Sequence, residues 1–152
     1  MQPEAQKSLA ESEVRDYMTA EPETLDVSST LLDAALLLRR ARLRHIPILE
    51  DNRLVGILTD GDVARFTPSM LTPLTPQEYN RIFEETPVTK IMTRDPIFTA
   101  PNVPLIEAVR LLQENRLGCL PVLDGGQLVG IITTSDMLRL LSELMAPPEA
   151  AS

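Results

Sequence analysis

One cysteine, Cys119, and one histidine, His45, are all that this chain of 152 residues holds of those two residue types. A single cysteine cannot close an intramolecular disulfide, so the fold must be held by packing. The two residues also leave no Cys/His cluster spaced for a metal, and no metal is expected. Only six glycines are present, beside 43% hydrophobic and 24% charged residues, which excludes fibrous and disordered classes. Apolar runs such as "LLDAALLL" are too short or too interrupted to span a bilayer, so no direct membrane insertion is expected. The N-terminal "MQPEAQKSLAESEVRD" lacks the basic start and apolar core of a secretory signal, and a cytoplasmic location is expected. Basic residues are the minority, 14 against 22 acidic, for a net charge of −8. Nucleic acid and anionic membrane surfaces would repel such a chain, so an anionic ligand needs a local basic pocket.

What the chain has is a repeat. "GILTDGDV" at Gly56 returns as "GIITTSDM" at Gly130, and Met18/Met92, Pro22/Pro96, Pro47/Pro121 and Asp62/Asp136 share the same offset, 136 − 62 = 74. Between Val14 and Val63 about 18 of 50 positions are identical to their partners, the mark of a duplicated supersecondary unit. The repeats span residues 14–66 and 88–145, and a Pro- and Thr-rich linker with a short helical insert near Gln77 to Glu85 occupies 67–87.

Each copy opens on a helical turn ending in "YMT" or "IMT", followed by an extended piece around "ETLDV" or "IFTAP". Apolar spacing then predicts a helix from about Leu31 to Leu43, with Thr30 and Asp33 as its capping box, and from about Leu105 to Leu117 in copy two. The runs "HIPILE" and "LVGILT", like "CLPVLD" and "LVGIIT", read as hairpins. A further helix starts at each "TxxD", and in copy two it carries more apolar residues than one buried stripe requires, which suggests a packing partner. The expected class is α/β (α+β): two tandem repeats, each a small three-stranded sheet with two helices, packed with pseudo-two-fold symmetry around a shared cleft.

"HIPIL" with "LVGILTDGDV", repeated as "CLPVL" with "LVGIITTSDM", each preceded by "MT" and Pro, resembles a tandem pair of cystathionine-β-synthase (CBS) domains, a Bateman module. The layout is similar to the acetoin-utilisation type. The resemblance implies a non-enzymatic regulatory module, a homodimer that binds AMP, ADP, ATP or S-adenosylmethionine between its repeats and signals to a separate effector protein. A ligand-free dimerisation scaffold is the alternative.

Chemistry gives Asp62 and Asp136, with Thr59 and Thr133, two readings. A carboxylate accepts both hydroxyls of a ribose diol, and the adjoining helix N-terminus favours phosphate. Thr-x-x-Asp is equally a capping box. The resemblance places Ile46, Pro47, Leu120 and Pro121 against an adenine, although core strand residues would look the same. It makes Thr24 a hydroxyl contact, for which copy two has Phe98 followed by Thr99, and Arg44 a phosphate contact, for which copy two has Gly118. His45 and Cys119 occupy one aligned position as cleft-lining or core residues, and His45 joins the candidate ligand contacts. The remaining arginines of "RRARLRH" read as a solvated helix face. "DGD" lacks the further ligands of a calcium loop, and no nucleophile with an oriented base is present.

Overall fold

The computed structural model describes residues 8–148. They form a short 3-10 turn (Leu9–Glu11), helix α1 (Val14–Tyr17), strands β1 (Thr19–Ala20) and β2 (Leu25–Asp26), helix α2 (Leu31–Ala41), strands β3 (His45–Glu50) and β4 (Arg53–Thr59), and helices α3 (Asp60–Phe66), α4 (Pro76–Glu85) and α5 (Val88–Ile91). Strand β5 (Thr93–Arg94), helix α6 (Leu105–Glu114), strands β6 (Cys119–Asp124) and β7 (Gln127–Thr133) and helix α7 (Thr134–Met145) complete the chain. Strand starts repeat at the offset read from the sequence, 119 − 45 = 74 and 127 − 53 = 74.

The described residues divide into two compact units, one formed by residues 22–96 and the other by residues 8–21 together with 97–148. In the 22–96 unit β2 runs parallel to β3, β3 pairs antiparallel with β4, and β4 pairs with β5. In the other unit β6 pairs antiparallel with β7, β7 pairs with β1, and Thr99 makes a parallel bridge to Val122. The opening turn of each sequence repeat therefore belongs to the unit built mainly from the other repeat. Val14 lies in the core with Leu105, Leu120 and Ile132, while Val88 and Ile91 lie in the core with Leu31, Ile46 and Leu58.

Local chemistry explains the elements. Each hairpin turns on two residues with positive φ, Asp51 and Asn52 in one and Gly125 and Gly126 in the other, the signature of a type I′ turn whose twist matches the strands. Helix α2 is capped by Thr30 and Asp33 as expected, but it ends at Ala41 because Arg42 turns left-handed at φ 53. Helix α6 likewise stops at Glu114, before left-handed Arg116, so both helices are shorter than their apolar spacing suggested. Gly56 and Gly130 stand where β5 and β1 pair closely alongside β4 and β7. A Cβ on Gly130 would come 2.8 Å from the Thr19 carbonyl oxygen, and one on Gly56 would come 2.9 Å from that of Thr93.

One buried group is left over. The hydroxyl of Thr99 is enclosed without a hydrogen-bond partner among the described residues, at the position where the 22–96 unit has apolar Leu25. A buried donor that has lost water and found no partner is unfavourable. Thr99→Val is expected to raise stability by about 1 kcal/mol, or roughly 2–4 °C in Tm for a chain of this size. Thermal unfolding of the variant checks this, and a lower Tm would show that the hydroxyl has a partner after all.

Candidate functional site

Each unit brings one "TxxD" turn to the end of its hairpin. In the unit completed by residues 8–21, Thr133 ends β7 and caps α7, and Asp136 is its third helical residue. Asp136 is 5% exposed. Its Oδ2 accepts the Thr133 backbone N–H at 2.9 Å and the Thr133 hydroxyl at 3.0 Å. Its Oδ1 accepts the Thr19 hydroxyl at 3.2 Å and lies 3.5 Å from the Arg139 guanidinium. The carboxylate is thus divided: one oxygen closes the helix cap, and the other faces the Thr19 hydroxyl and the Arg139 guanidinium.

The 22–96 unit repeats the plan with different neighbours. Asp62, 6% exposed, accepts the Thr59 N–H at 2.9 Å through Oδ2, while its Oδ1 pairs with Arg65. The guanidiniums of Arg65 and Arg139 belong to side chains mostly in solvent, so each ion pair is anchored at its carboxylate end alone. Water screens the guanidinium end of each pair, which weakens the attraction and leaves the arginine free to exchange.

Strand pairing fixes what surrounds the turns. His45 lies opposite Thr59, and Cys119 opposite Thr133. Burial pushes the His45 imidazole below its ordinary value, Arg44 adds to this, and Asp60 and Asp62 oppose it. Burial, with a contribution from Asp136, pushes the Cys119 thiol up to about 12, which leaves it protonated and unsuited to nucleophilic attack. The Arg44 side chain is exposed, and its backbone carbonyl accepts the Asp60 N–H at 3.0 Å; Gly118 does the same for Thr134.

Alternation along β3 and β6 separates the other candidates. Ile46 and Leu120 are fully buried members of the two apolar cores. Pro47 and Pro121 face the opposite side, in the cross-strand rows Pro47–Ile57–Thr93 and Pro121–Ile131–Thr19. Thr24, half-buried, precedes β2 at the level of Pro47. Phe98, its counterpart, is exposed, while Thr99 turns inward. Thr19 and the arginines Arg65 and Arg139 were not among the candidates. A signal existed for each: the repeated "MT", and a guanidinium three residues after each aspartate at the common offset, 139 − 65 = 74.

The model of the CBS domain family matches residues 14–69 and 88–143, both copies of the repeat. The chain belongs to the CBS domain family. Its fold is that of a tandem CBS pair, a Bateman module. This CBS pair is similar to the solved structure of AcuB from Vibrio cholerae, a protein linked by its name to acetoin utilization, with 35% identity, a TM-score of 0.73, and 88% of this chain and 93% of that one covered. It is also similar to CBSX2 of Arabidopsis thaliana in complex with AMP, with 28% identity, a TM-score of 0.72, and coverage of 88% and 98%. The CBS domain pair of protein MJ0100, in complex with 5′-methylthioadenosine and S-adenosyl-L-methionine, matches at 26% identity and a TM-score of 0.70, over 86% of this chain and 99% of that one. Among the described residues, no group of three or more His, Cys, Asp or Glu side chains could hold a metal ion, and no helix is long and apolar enough to cross a membrane.

Proposed function

We propose that this CBS pair is a regulatory sensor of adenosine-containing ligands, AMP, ADP, ATP or S-adenosylmethionine, acting without catalysis as a cytoplasmic homodimer that signals to a separate effector protein. The observation that carries the reading is the divided carboxylate of Asp62 and Asp136. With Oδ2 committed to the cap, Oδ1 accepts hydroxyls of a ribose in place of Thr19 or the adjoining arginine. Arg65 and Arg139, once released, turn to the anionic part of the ligand, joined in the 22–96 unit by Arg44. The hydroxyls of Thr24, Thr59 and Thr133 lie nearest to the sugar and the helix ends, and the row containing Pro47 or Pro121 receives the base. In this arrangement Ile46 and Leu120 contribute through their backbone groups, since their side chains are in the cores. His45, neutral and half-buried, lines the first of the two sites. Because Asp136 and the apolar surface of α7 share one helix, ligand binding that shifts α7 biases whatever that surface contacts.

The ligand-free scaffold reading draws on the same geometry, because capping and ion pairing already satisfy both carboxylates. A thermal-shift panel separates the two. A ligand at one hundred times its Kd stabilises by about 2.7 kcal/mol. This should raise Tm by several degrees in the parent and by less than half as much in Asp62→Asn with Asp136→Asn, each variant read against its own ligand-free Tm. Asparagine keeps a capping oxygen, so the fold survives the change. No shift with AMP, ADP, ATP or S-adenosylmethionine would favour the scaffold.

A further inference from the structure

We infer that the arginine cluster at the end of α2, Arg39, Arg40, Arg42 and Arg44, docks a short acidic protein segment that also carries an apolar side chain. This rests on the separate effector protein of the reading above and adds to it the surface that meets the effector and the chemistry of what it meets.

All four arginines are exposed, and none has an acidic partner or a side-chain hydrogen bond among the described residues. At most about 18 Å of chain separates the first from the last, within about two screening lengths at 0.1 M salt, so an anion on the patch feels them together. The chain around them is acidic: the 14 basic residues include these four, and the remainder carries −8 − 4 = −12. A nucleic acid or an anionic membrane, whose charge continues past the patch, meets that repulsion. A short segment whose carboxylates end within the patch does not, and each guanidinium can donate two parallel hydrogen bonds to a carboxylate. Leu36 adds an apolar element. It is 56% exposed and lies three and four residues before Arg39 and Arg40, on the same face of α2. An apolar side chain among guanidiniums suits a protein segment with acidic and apolar residues rather than a sugar-phosphate backbone.

The duplication supplies an internal control. At the positions of Leu36, Arg39, Arg40, Arg42 and Arg44 the other unit has Arg110, Gln113, Glu114, Arg116 and Gly118. Basic residues in a last turn are ordinarily explained by the carbonyl end of the helix, which favours positive charge. Helix α6 has none in its last turn, yet it forms, packs its core and stops before a left-handed arginine just as α2 does. Folding therefore does not require the cluster. Four unpaired like charges within six residues repel one another, and an acidic segment removes that repulsion.

Fluorescence anisotropy of the full chain with a labelled oligoglutamate peptide bearing one central leucine, at low ionic strength, tests the surface. Arg39→Gln with Arg40→Glu copies the residues that α6 tolerates at these positions, so the circular dichroism spectrum should be unchanged, while peptide binding weakens by about tenfold. Arg110→Gln with Arg116→Glu removes the same charge from the other unit and should leave binding as in the parent. Serine in place of the peptide's leucine should weaken binding to the parent by about fivefold and make no difference to Leu36→Ser. No binding of the peptide overturns the proposal, and so does an equal loss in both arginine variants, which would reduce the effect to net charge. A DNA oligonucleotide of the same charge that binds more tightly than the peptide overturns it in favour of nucleic acid. A changed oligomeric state of the Arg39/Arg40 variant by light scattering overturns it in favour of a contact between copies. Arg44 is left intact throughout, and the thermal shift with adenosine ligands decides the sensor reading separately.

Discussion

Gly130→Ala should destabilise the protein by about 2–3 kcal/mol, the upper part of the range for overpacking a closed site. The added methyl would sit 2.7 Å from the Met18 sulfur and 2.8 Å from the Thr19 carbonyl oxygen. A methionine side chain can move, but a carbonyl fixed in the β1–β7 pairing cannot unless Thr19 and Ala20 leave Ile131 and Gly130. Release of that strand also withdraws the Thr19 hydroxyl from Asp136. Urea denaturation gives the stability change, and hydrogen exchange should show protection lost first at Thr19 and Ala20. Gly56→Ala is expected to act likewise on β5. Gly61→Ala is the control: the nearest atoms to its Cβ are 3.7 Å away and alanine favours the helix, so stability should hold or rise. A Gly130→Ala protein within about 0.5 kcal/mol of the parent, the range of ordinary surface substitutions, would mean that β1 does not approach so closely.

Leu120→Ala should cost about 3 kcal/mol in the ligand-free protein, in the range for removing a large buried aliphatic side chain. Leu120 is completely enclosed and packs with Leu105, Leu112, Val122 and Ile132. Ile46→Ala should weaken the 22–96 unit to a similar degree, through the core that it shares with Leu31 and Leu58. These variants decide between two roles that look identical in the sequence. A side chain forming only the wall of an adenine site would leave ligand-free stability nearly unchanged and lower affinity instead. A core side chain lowers stability whether or not ligand is present. Equilibrium unfolding without ligand makes the distinction, and an unchanged unfolding midpoint for Leu120→Ala would remove it from the core.

The site was legible to the extent that its groups are neighbours along the chain. Thr133 and Asp136 are three residues apart, and the cap that they form is the one their spacing suggests. The same holds for Thr59 with Asp62 and for Thr30 with Asp33. Thr19 escaped notice because 117 residues separate it from Asp136, and no local pattern joins them. Arg65 and Arg139 escaped for another reason: at three residues from their aspartates they read as ordinary helix-surface charges, and only the buried carboxylate at the other end of each pair singles them out. The departure at Phe98 and Thr99 was visible as a change of residue type, but strand alternation decided that Phe98 is exposed and that the threonine hydroxyl is enclosed.

By itself the sequence determined the duplication, the two hairpins, the helix starts and the CBS resemblance, because each rests on spacings of a few residues or on one constant offset. Tertiary structure alone decided that the opening turn of each repeat completes the other unit, that helices α2 and α6 stop short at left-handed arginines, and that Ile46 and Leu120 face cores while Pro47 and Pro121 face away. Those outcomes depend on which distant strand has a free edge and a glycine that permits close approach. Contacts of that kind are set by three-dimensional packing, and a linear pattern of residue types does not encode them locally.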